Sequence, residues 1–218
     1  PGLLSLVRAY RDGVIKYKVA KKAVHQIEKF HFAFNAITSS RSSGGISGMY
    51  SSFGRSVFTA KDSNEVAMEI TNLLEKLRDR EVPESEFDAG FEQIIYTNKQ
   101  SSQKALVQYI LRTVARHEKQ PSIGDSDDLT IEHLLPQAEI KEKDSEKMVG
   151  QIGNLLLVDS ETNGLLGTHK FVDKKKILLA RGYRLPDAFL SVDKLTPELI
   201  VENTKRISVL ARQSIWKV

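Results

Sequence analysis

Apolar residues recur at helical spacing through the first half of this 218-residue chain, and this periodicity constrains the fold more than any other feature. The longest stripe predicts one long helix with a buried face. Its members are Ala20, Ala23, Val24, Ile27, Phe30 and Phe34. Similar stripes predict three further helices, over 63–80, 87–95 and 106–114. Residues 39–48 are rich in Ser and Gly, and they predict an irregular loop.

The pattern changes after residue 117. A polar stretch, 118–128, contains proline, glycine and four acidic residues and predicts a linker. Residues 129–135 and 154–158 are short and apolar, as expected of two strands. The polar stretch 138–150 separates them. One antiparallel hairpin is therefore predicted in the second half of the chain.

Helical spacing returns over 171–179, and a last helix is predicted after Thr196, with Pro197 in its first turn. The expected fold is mostly α, within the α+β class: a helical scaffold that carries one antiparallel hairpin followed by a helix. The linker divides the chain into a helical scaffold region, 1–118, and a region 119–218 that holds the hairpin and the C-terminal helix.

Composition restricts the function without selecting it. The formal charge is +4, from 32 Lys and Arg against 28 Asp and Glu, which is a weak indication of an anionic partner. The chain has no cysteine, so a metal ion would need oxygen or imidazole ligands, which points to Mg²⁺ or Mn²⁺. No apolar run suggests a membrane span or a signal peptide, so we expect a cytoplasmic protein. Because the sequence opens with Pro1 and not with methionine, we expect a fragment of a longer protein.

Three elements of the sequence carry the chemistry. Residues 131–137 read Ile-Glu-His-Leu-Leu-Pro-Gln, residues 153–157 read Gly-Asn-Leu-Leu-Leu, and Asn163 follows Asn154 by nine residues. This pattern resembles the HNH nucleases. It is most similar to the carboxy-terminal nuclease domain of GmrSD-type modification-dependent restriction enzymes and of related phosphorothioation-linked defence nucleases.

The resemblance extends beyond these elements. Phe171 and Lys174 match the same group, as do the segments 30–32 (Phe-His-Phe) and 43–45 (Ser-Gly-Gly). It implies a ββα-metal (HNH) finger that cleaves or nicks DNA in anti-phage defence, with phage or modified DNA as substrate. It also implies a parent protein with an amino-terminal nucleotide-hydrolysing sensor domain. The sequence itself shows no Gly-rich phosphate loop.

Phosphodiester hydrolysis needs a base that deprotonates water and a cation that neutralises charge on the phosphate. His133 is the candidate base, because imidazole titrates near neutral pH. Glu132 is the candidate anionic metal ligand, and Asn163 would add a neutral oxygen. Neighbouring strand residues face opposite ways, so Glu132 and His133 share one site only if the strand ends or twists there. Pro136 is consistent with such an ending.

Three further residues receive roles. Asn154 is expected to organise the site, with its amide holding the loop so that His133 points at the phosphate. Lys174 is the candidate phosphate contact, with Lys170 as a substitute. The alternative is that the lysine run 174–176 is a solvated helix face.

Two other functions stay open beside the nuclease. In one, the finger is a catalytically inactive DNA-binding or regulatory module; in the other, a helical protein-interaction domain carries the motif by coincidence. The sequence leaves open whether the protein forms a homo-oligomer, whether it cuts one strand or two, and which modification is sensed.

Overall fold

The computed structural model describes residues 1–38, 45–120, 128–137 and 147–217. By packing, the chain forms two compact units, one made of residues 1–86 with the last residues from Trp216, and one that spans Phe87–Ile215. The division that we inferred from composition, at 118/119, lies inside the second unit and stays a prediction. Most of the predicted linker lies outside the described residues, as does the greater part of the polar stretch after the first strand.

The first unit is built from helices. They are α1 (Gly2–Arg11), α2 (Tyr17–His31), which continues as a wider π-helical segment (Phe32–Ile37), α3 (Ile46–Thr59) and α4 (Ser63–Arg78). The long helix predicted from the apolar stripe is α2, and Ala20, Ala23, Ile27 and Phe30 lie on its buried face. Val24 of the predicted stripe is 38% exposed, so the apolar spacing predicted the helix and most, but not all, of the side that packs.

Helices α1 and α3 were not predicted, and the expectation of a loop through residue 48 is wrong at its end. Residues 39–44 lie outside the described residues, but Ile46–Gly48 form the first turn of α3. Helices α1 and α3 pack closely because Gly54 faces the backbone of Pro1 and Gly2: a Cβ at Gly54 would lie 3.2 Å from the Gly2 nitrogen. Gly54, beyond the predicted loop, thus serves helix packing.

The second unit contains the hairpin and the remaining helices. In chain order they are α5 (Glu84–Glu92, which begins just before the unit), α6 (Lys104–His117), β1 (Leu129–His133), a 3₁₀ turn (Ile152–Asn154), β2 (Leu155–Asp159), α7 (Ser160–Leu166), α8 (Phe171–Ala180), α9 (Asp187–Leu190), α10 (Pro197–Leu210) and a π-helical end (Ala211–Ile215). The mostly helical fold with one antiparallel hairpin is therefore confirmed for the part of the chain that the structure describes. None of the described helices is long and apolar enough to span a membrane.

The hairpin pairs β1 with β2, with Leu129 opposite Asp159 and His133 opposite Leu155. Its apolar side chains join one buried cluster with those of α7 to α10. Members of this cluster are Leu134, Leu135, Val149, Val158, Leu166, Phe171, Leu178, Tyr183, Leu185, Phe189, Leu195 and Ile200. The hairpin is thus embedded in helices, as a two-stranded sheet must be to persist in water.

The start of α7 is fixed by its capping residue. The Asp159 carboxylate accepts hydrogen bonds from the Thr162 N–H at 2.7 Å and from the Thr162 hydroxyl at 2.6 Å, while the Tyr183 hydroxyl donates to it at 2.9 Å. The hydrogen bonds from Thr162 lower the pKa of Asp159 to about 2. This cap sets the direction in which the helix leaves β2.

Gly153, in the 3₁₀ turn before β2, lies close against α10. A Cβ at Gly153 would lie 2.5 Å from the Thr204 nitrogen and would collide with the Ile200 carbonyl oxygen. The Gly153 N–H donates to the Thr204 hydroxyl at 3.1 Å, and its carbonyl accepts from the Asn203 amide at 2.8 Å. Only a residue without a side chain fits between the two backbones.

We expect Gly153→Ala to lower the free energy of unfolding by about 1–3 kcal/mol or more, because the added methyl group meets backbone atoms that cannot move aside. Gly164→Ala is the matched control. No atom lies within 4 Å of a Cβ at Gly164 in α7, so this change should stabilise the protein by about 0.5–1 kcal/mol. Urea unfolding measures both values. Equal midpoints for the two variants would contradict the close approach.

Candidate functional site

His133 is the last residue of β1, and its ring is held by the segment that joins α5 to α6. The ring nitrogen Nε2 lies 2.9 Å from the Tyr96 carbonyl oxygen, and the Tyr96 ring stacks on the imidazole with centroids 5.9 Å apart. A carbonyl oxygen can only accept, so Nε2 carries the proton in the neutral ring. Nδ1 is consequently the basic nitrogen.

The surroundings of His133 favour its neutral form. Burial lowers the pKa of His133, the hydrogen bond to Tyr96 opposes that shift, and the nearby Lys174 charge lowers the pKa further. The Gln137 amide nitrogen lies 3.4 Å from Nδ1, which is long for a hydrogen bond. A neutral imidazole with an accepting Nδ1 is the form that can take a proton from water.

Glu132 is the residue before His133 in β1, and its side chain contacts different groups. Its carboxylate forms a buried ion pair with the Lys174 ammonium, which also donates to the His133 carbonyl oxygen at 2.7 Å. Burial raises the pKa of Glu132, whereas Lys174 and the His133 N–H act to lower it. The structure thus joins Glu132 to His133 through the His133 backbone and Lys174, and not through the two side chains.

The two lysines with predicted phosphate contacts differ in exposure. Lys174, in α8, is only 1% exposed, and its ammonium is occupied by Glu132 and the His133 carbonyl. A phosphate contact by Lys174 would require this ion pair to open. Lys170 precedes α8 and is exposed, so it is the one of the two that solvent and a phosphate can reach in this arrangement.

Asn154 is completely buried at the end of the 3₁₀ turn. Its Oδ1 accepts from the Leu135 N–H at 2.7 Å, and its Nδ2 donates to the carbonyl oxygens of Leu135 at 3.0 Å and Val149 at 2.8 Å. Its backbone carbonyl accepts from the Leu134 N–H at 2.9 Å. The amide therefore holds the chain as it leaves β1, directly after His133.

Asn163 is partly buried in the second turn of α7, the helix that follows β2. This helix packs against both strands. Among the described contacts, no hydrogen bond joins the Asn163 side chain to Glu132 or His133. The predicted convergence of these three residues on one metal site stays a prediction.

Two contributors were missed from the sequence. Tyr96 acts through its backbone carbonyl and the face of its ring, and Gln137, although part of the motif, received no role. Gln137 Oε1 accepts from the Asn98 N–H at 3.2 Å, which ties the motif to the same segment. A backbone carbonyl has no sequence signature, so only the structure identifies Tyr96.

Within the described residues, no group of three His, Asp or Glu side chains is arranged to hold a metal ion. A divalent cation at this site would therefore need amide or phosphate oxygens in addition to Glu132. Mg²⁺ accepts such ligand sets, because it retains several waters and binds through one or two carboxylates together with phosphate oxygens.

The fold and the site define a mostly helical protein in which a strand, strand and helix carry a half-buried histidine and a buried asparagine. A family model described as the C-terminal domain of GmrSD restriction endonucleases matches residues 81–209, which is more than half of the chain. The chain belongs to this family, and the predicted resemblance is confirmed. Membership indicates a nuclease domain of a restriction enzyme. A search of curated proteins found no match.

We expect Asn154→Ala to destabilise the second unit by at least about 2 kcal/mol, because it leaves the Leu135 N–H and two carbonyl groups buried without their partner. Asn163→Ala is the control. Its side chain is only partly buried, so its unfolding free energy should change by less than about 0.5 kcal/mol. Urea unfolding followed by circular dichroism gives both values. Similar losses of unfolding free energy for the two variants would contradict a structural role that is specific to the Asn154 side chain.

The Lys174–Glu132 ion pair can be tested by a double-mutant cycle. Lys174→Met or Glu132→Gln alone leaves one buried group without its partner, which typically costs about 3–5 kcal/mol. The double variant should cost clearly less than the sum of the single changes. Lys176→Met is the control, because Lys176 and Asp173 form an exposed pair at 3.9 Å, worth at most about 1 kcal/mol. Additive losses at Lys174 and Glu132 would contradict a direct interaction.

Proposed function

We propose that the chain is a metal-dependent DNA endonuclease or nickase of the HNH type, which acts in the cytoplasm as part of an anti-phage restriction system. The observation that carries the proposal is the orientation of His133. Its Nε2–H is bound to the Tyr96 carbonyl, so that Nδ1 is the nitrogen left to act as base. Family membership indicates a nuclease domain. The hydrogen bond of His133 supports general-base catalysis within that domain.

In this proposal His133 is the general base. It takes a proton from water at Nδ1 while the Tyr96 carbonyl stabilises the imidazolium that forms. The lowered pKa keeps the ring neutral before the reaction. Asn154 is a positioning residue, because its three hydrogen bonds fix the turn that follows His133.

Glu132 and Asn163 are the proposed ligands of Mg²⁺ or Mn²⁺. An ionised carboxylate has about four acceptor positions, and Lys174 and the His133 N–H use two of them, so acceptor capacity remains for a cation. The donor chemistry fits a hard cation. Binding should be weak, since Lys174 already neutralises the carboxylate. When bound, the cation would neutralise charge on the scissile phosphate and the leaving oxygen.

The proposed substrate is the DNA backbone. Lys170, the exposed residue just before α8, is the proposed contact to a phosphate. No sequence motif suggests an element that reads bases in a major groove, so we expect little sequence preference. Recognition of phage or modified DNA would then belong to an amino-terminal nucleotide-hydrolysing domain of the parent protein.

The second candidate is a DNA-binding or regulatory module without catalysis. The occupied state of Glu132 favours it, because a carboxylate paired with Lys174 is a weaker cation ligand than a free one. The two functions differ in one measurable respect: only the nuclease requires His133 and a divalent cation for an activity on DNA.

We expect His133→Ala to slow the nicking of supercoiled plasmid by about 10²–10⁴-fold in Mg²⁺ or Mn²⁺, because the base that activates water is lost. Binding to the same plasmid should be retained. Asn163→Ala should also slow nicking, but higher metal concentration should restore part of its rate, since a neutral ligand is lost and the base is not.

His117→Ala is the matched control, because this imidazole is exposed at the end of α6 in the same unit. It should nick at the rate of the unaltered chain. If His133→Ala is folded and nicks at that rate too, His133 is not the base. If the unaltered chain binds DNA but does not nick it with either metal, the binding module replaces the nuclease.

A further inference from the structure

The positive charge of the chain is concentrated in its first two helices. Residues 1–38 contain seven Lys and Arg against two Asp and Glu, whereas the formal charge of the whole chain is only +4. The other 180 residues therefore carry one more acidic than basic side chain. The weak overall charge conceals a strongly basic segment in the first unit, outside the residues that match the family model.

Within that segment, the basic side chains share one face of α2. Lys18, Lys21, Lys22 and His25 are all exposed. At about 100° per residue they fall within a stripe about 100° wide, and Lys29 continues it, so that it runs for about 16 Å along the helix. The opposite face, with Ala20, Ala23 and Ile27, is buried in the unit.

The lysines of this face have no acidic partner among the described residues. No ion pair there involves Lys18, Lys21 or Lys22. In the second unit, by contrast, Arg181 and Arg206 are paired with carboxylates. His25 pairs with Glu28 at 3.3 Å, and the Lys29 ammonium donates to the Lys217 carbonyl oxygen at 3.1 Å. The three lysines from Lys18 to Lys22 are thus the members of the face that are available to an external anion.

We propose that this lysine face of α2 binds the phosphodiester backbone of double-stranded DNA. A straight row of ammonium groups on a rigid helix suits a duplex, whose phosphates present a dense and regular line of negative charge. Backbone contacts of this kind hold DNA without reading its sequence. The surface goes beyond the proposed catalytic site and takes from the proposed function only the nature of the partner, DNA.

Neighbouring side chains favour a duplex over single strands. Tyr10 and Tyr17 are exposed beside the lysines, but their rings pack on each other with centroids 5.7 Å apart, and the Lys21 ammonium lies 5.9 Å from the centre of the Tyr17 ring. These rings are engaged with each other and with Lys21, whereas single-strand binding depends on aromatic faces that stack on bases. An anionic membrane is also disfavoured, because the apolar face of α2 is buried and cannot insert.

The test is the salt dependence of binding of the full chain to a labelled duplex of about 30 base pairs, by fluorescence anisotropy in EDTA. The variant Lys18→Gln/Lys21→Gln/Lys22→Gln should reduce the magnitude of the slope of log K against log salt by about 2.7, at about 0.9 for each phosphate that the protein no longer neutralises. The control Lys61→Gln/Lys76→Gln/Arg78→Gln removes three exposed positive charges from or beside α4 in the same unit. Its slope should stay unchanged.

Two results would overturn the proposal. One is an equal reduction in slope for both triple variants, which would mean that only net charge matters. The other is loss of binding to phosphatidylserine vesicles by the α2 variant with unchanged duplex binding, which would assign the face to a membrane. Unfolding midpoints confirm that both variants fold, and a single-stranded oligonucleotide should give a smaller difference than the duplex.

The binding assay is independent of cleavage. If the unaltered chain does not nick plasmid but the α2 variant alone loses duplex affinity, the nuclease proposal fails and the DNA-binding face stands. If plasmid is nicked and all three proteins bind duplex with the same slope, the nuclease stands and the face is not a DNA contact.

Discussion

A two-stranded hairpin cannot by itself bury its backbone or provide hydrogen-bond partners for all of its N–H and C=O groups, and this constraint organises the second unit. The chain that leaves β1 turns into the protein interior, where unpaired N–H and C=O groups would be costly. The buried Asn154 amide supplies one acceptor and two donor contacts at that point. Gly153, one residue earlier, lets α10 approach the same turn closely enough to bond to it. The candidate base, His133, therefore lies at the end of a strand that both the Asn154 amide and α10 help to fix.

The last two residues of β1 meet different partners. Glu132 points inward and meets Lys174, whereas His133 points toward the Tyr96 segment and keeps one nitrogen for a proton. The ammonium of Lys174 links the two environments, because it binds both the carboxylate and the His133 carbonyl. An acidic group and a basic group that are adjacent in sequence are thereby kept in different surroundings, one dry and charge-paired, the other half-buried and neutral.

The sequence was sufficient where a local pattern determines structure, and insufficient where distant groups meet. The stripe on α2, the two strands and the Thr196 cap of α10 follow from spacing and capping rules. Helix α3 was missed because it is rich in Ser and Gly, and the close contact of its Gly54 with Pro1 and Gly2 has no local sequence pattern. The ion pair of Lys174 with Glu132 joins residues that are 42 positions apart. Local sequence spacing therefore could not predict that Lys174 is buried.

The uneven charge of the first unit has a kinetic consequence. Residues 1–38 are strongly basic, whereas residues 45–86 contain eight acidic and five basic side chains. The positive charge of the unit is consequently concentrated in the α1 and α2 segment. In the field of a polyanion such a unit rotates before contact, so that encounters begin in a preferred orientation and the association rate falls steeply as ionic strength rises. A local concentration of charge can in this way control how fast, and by which side, a protein of small net charge first meets a polyanion.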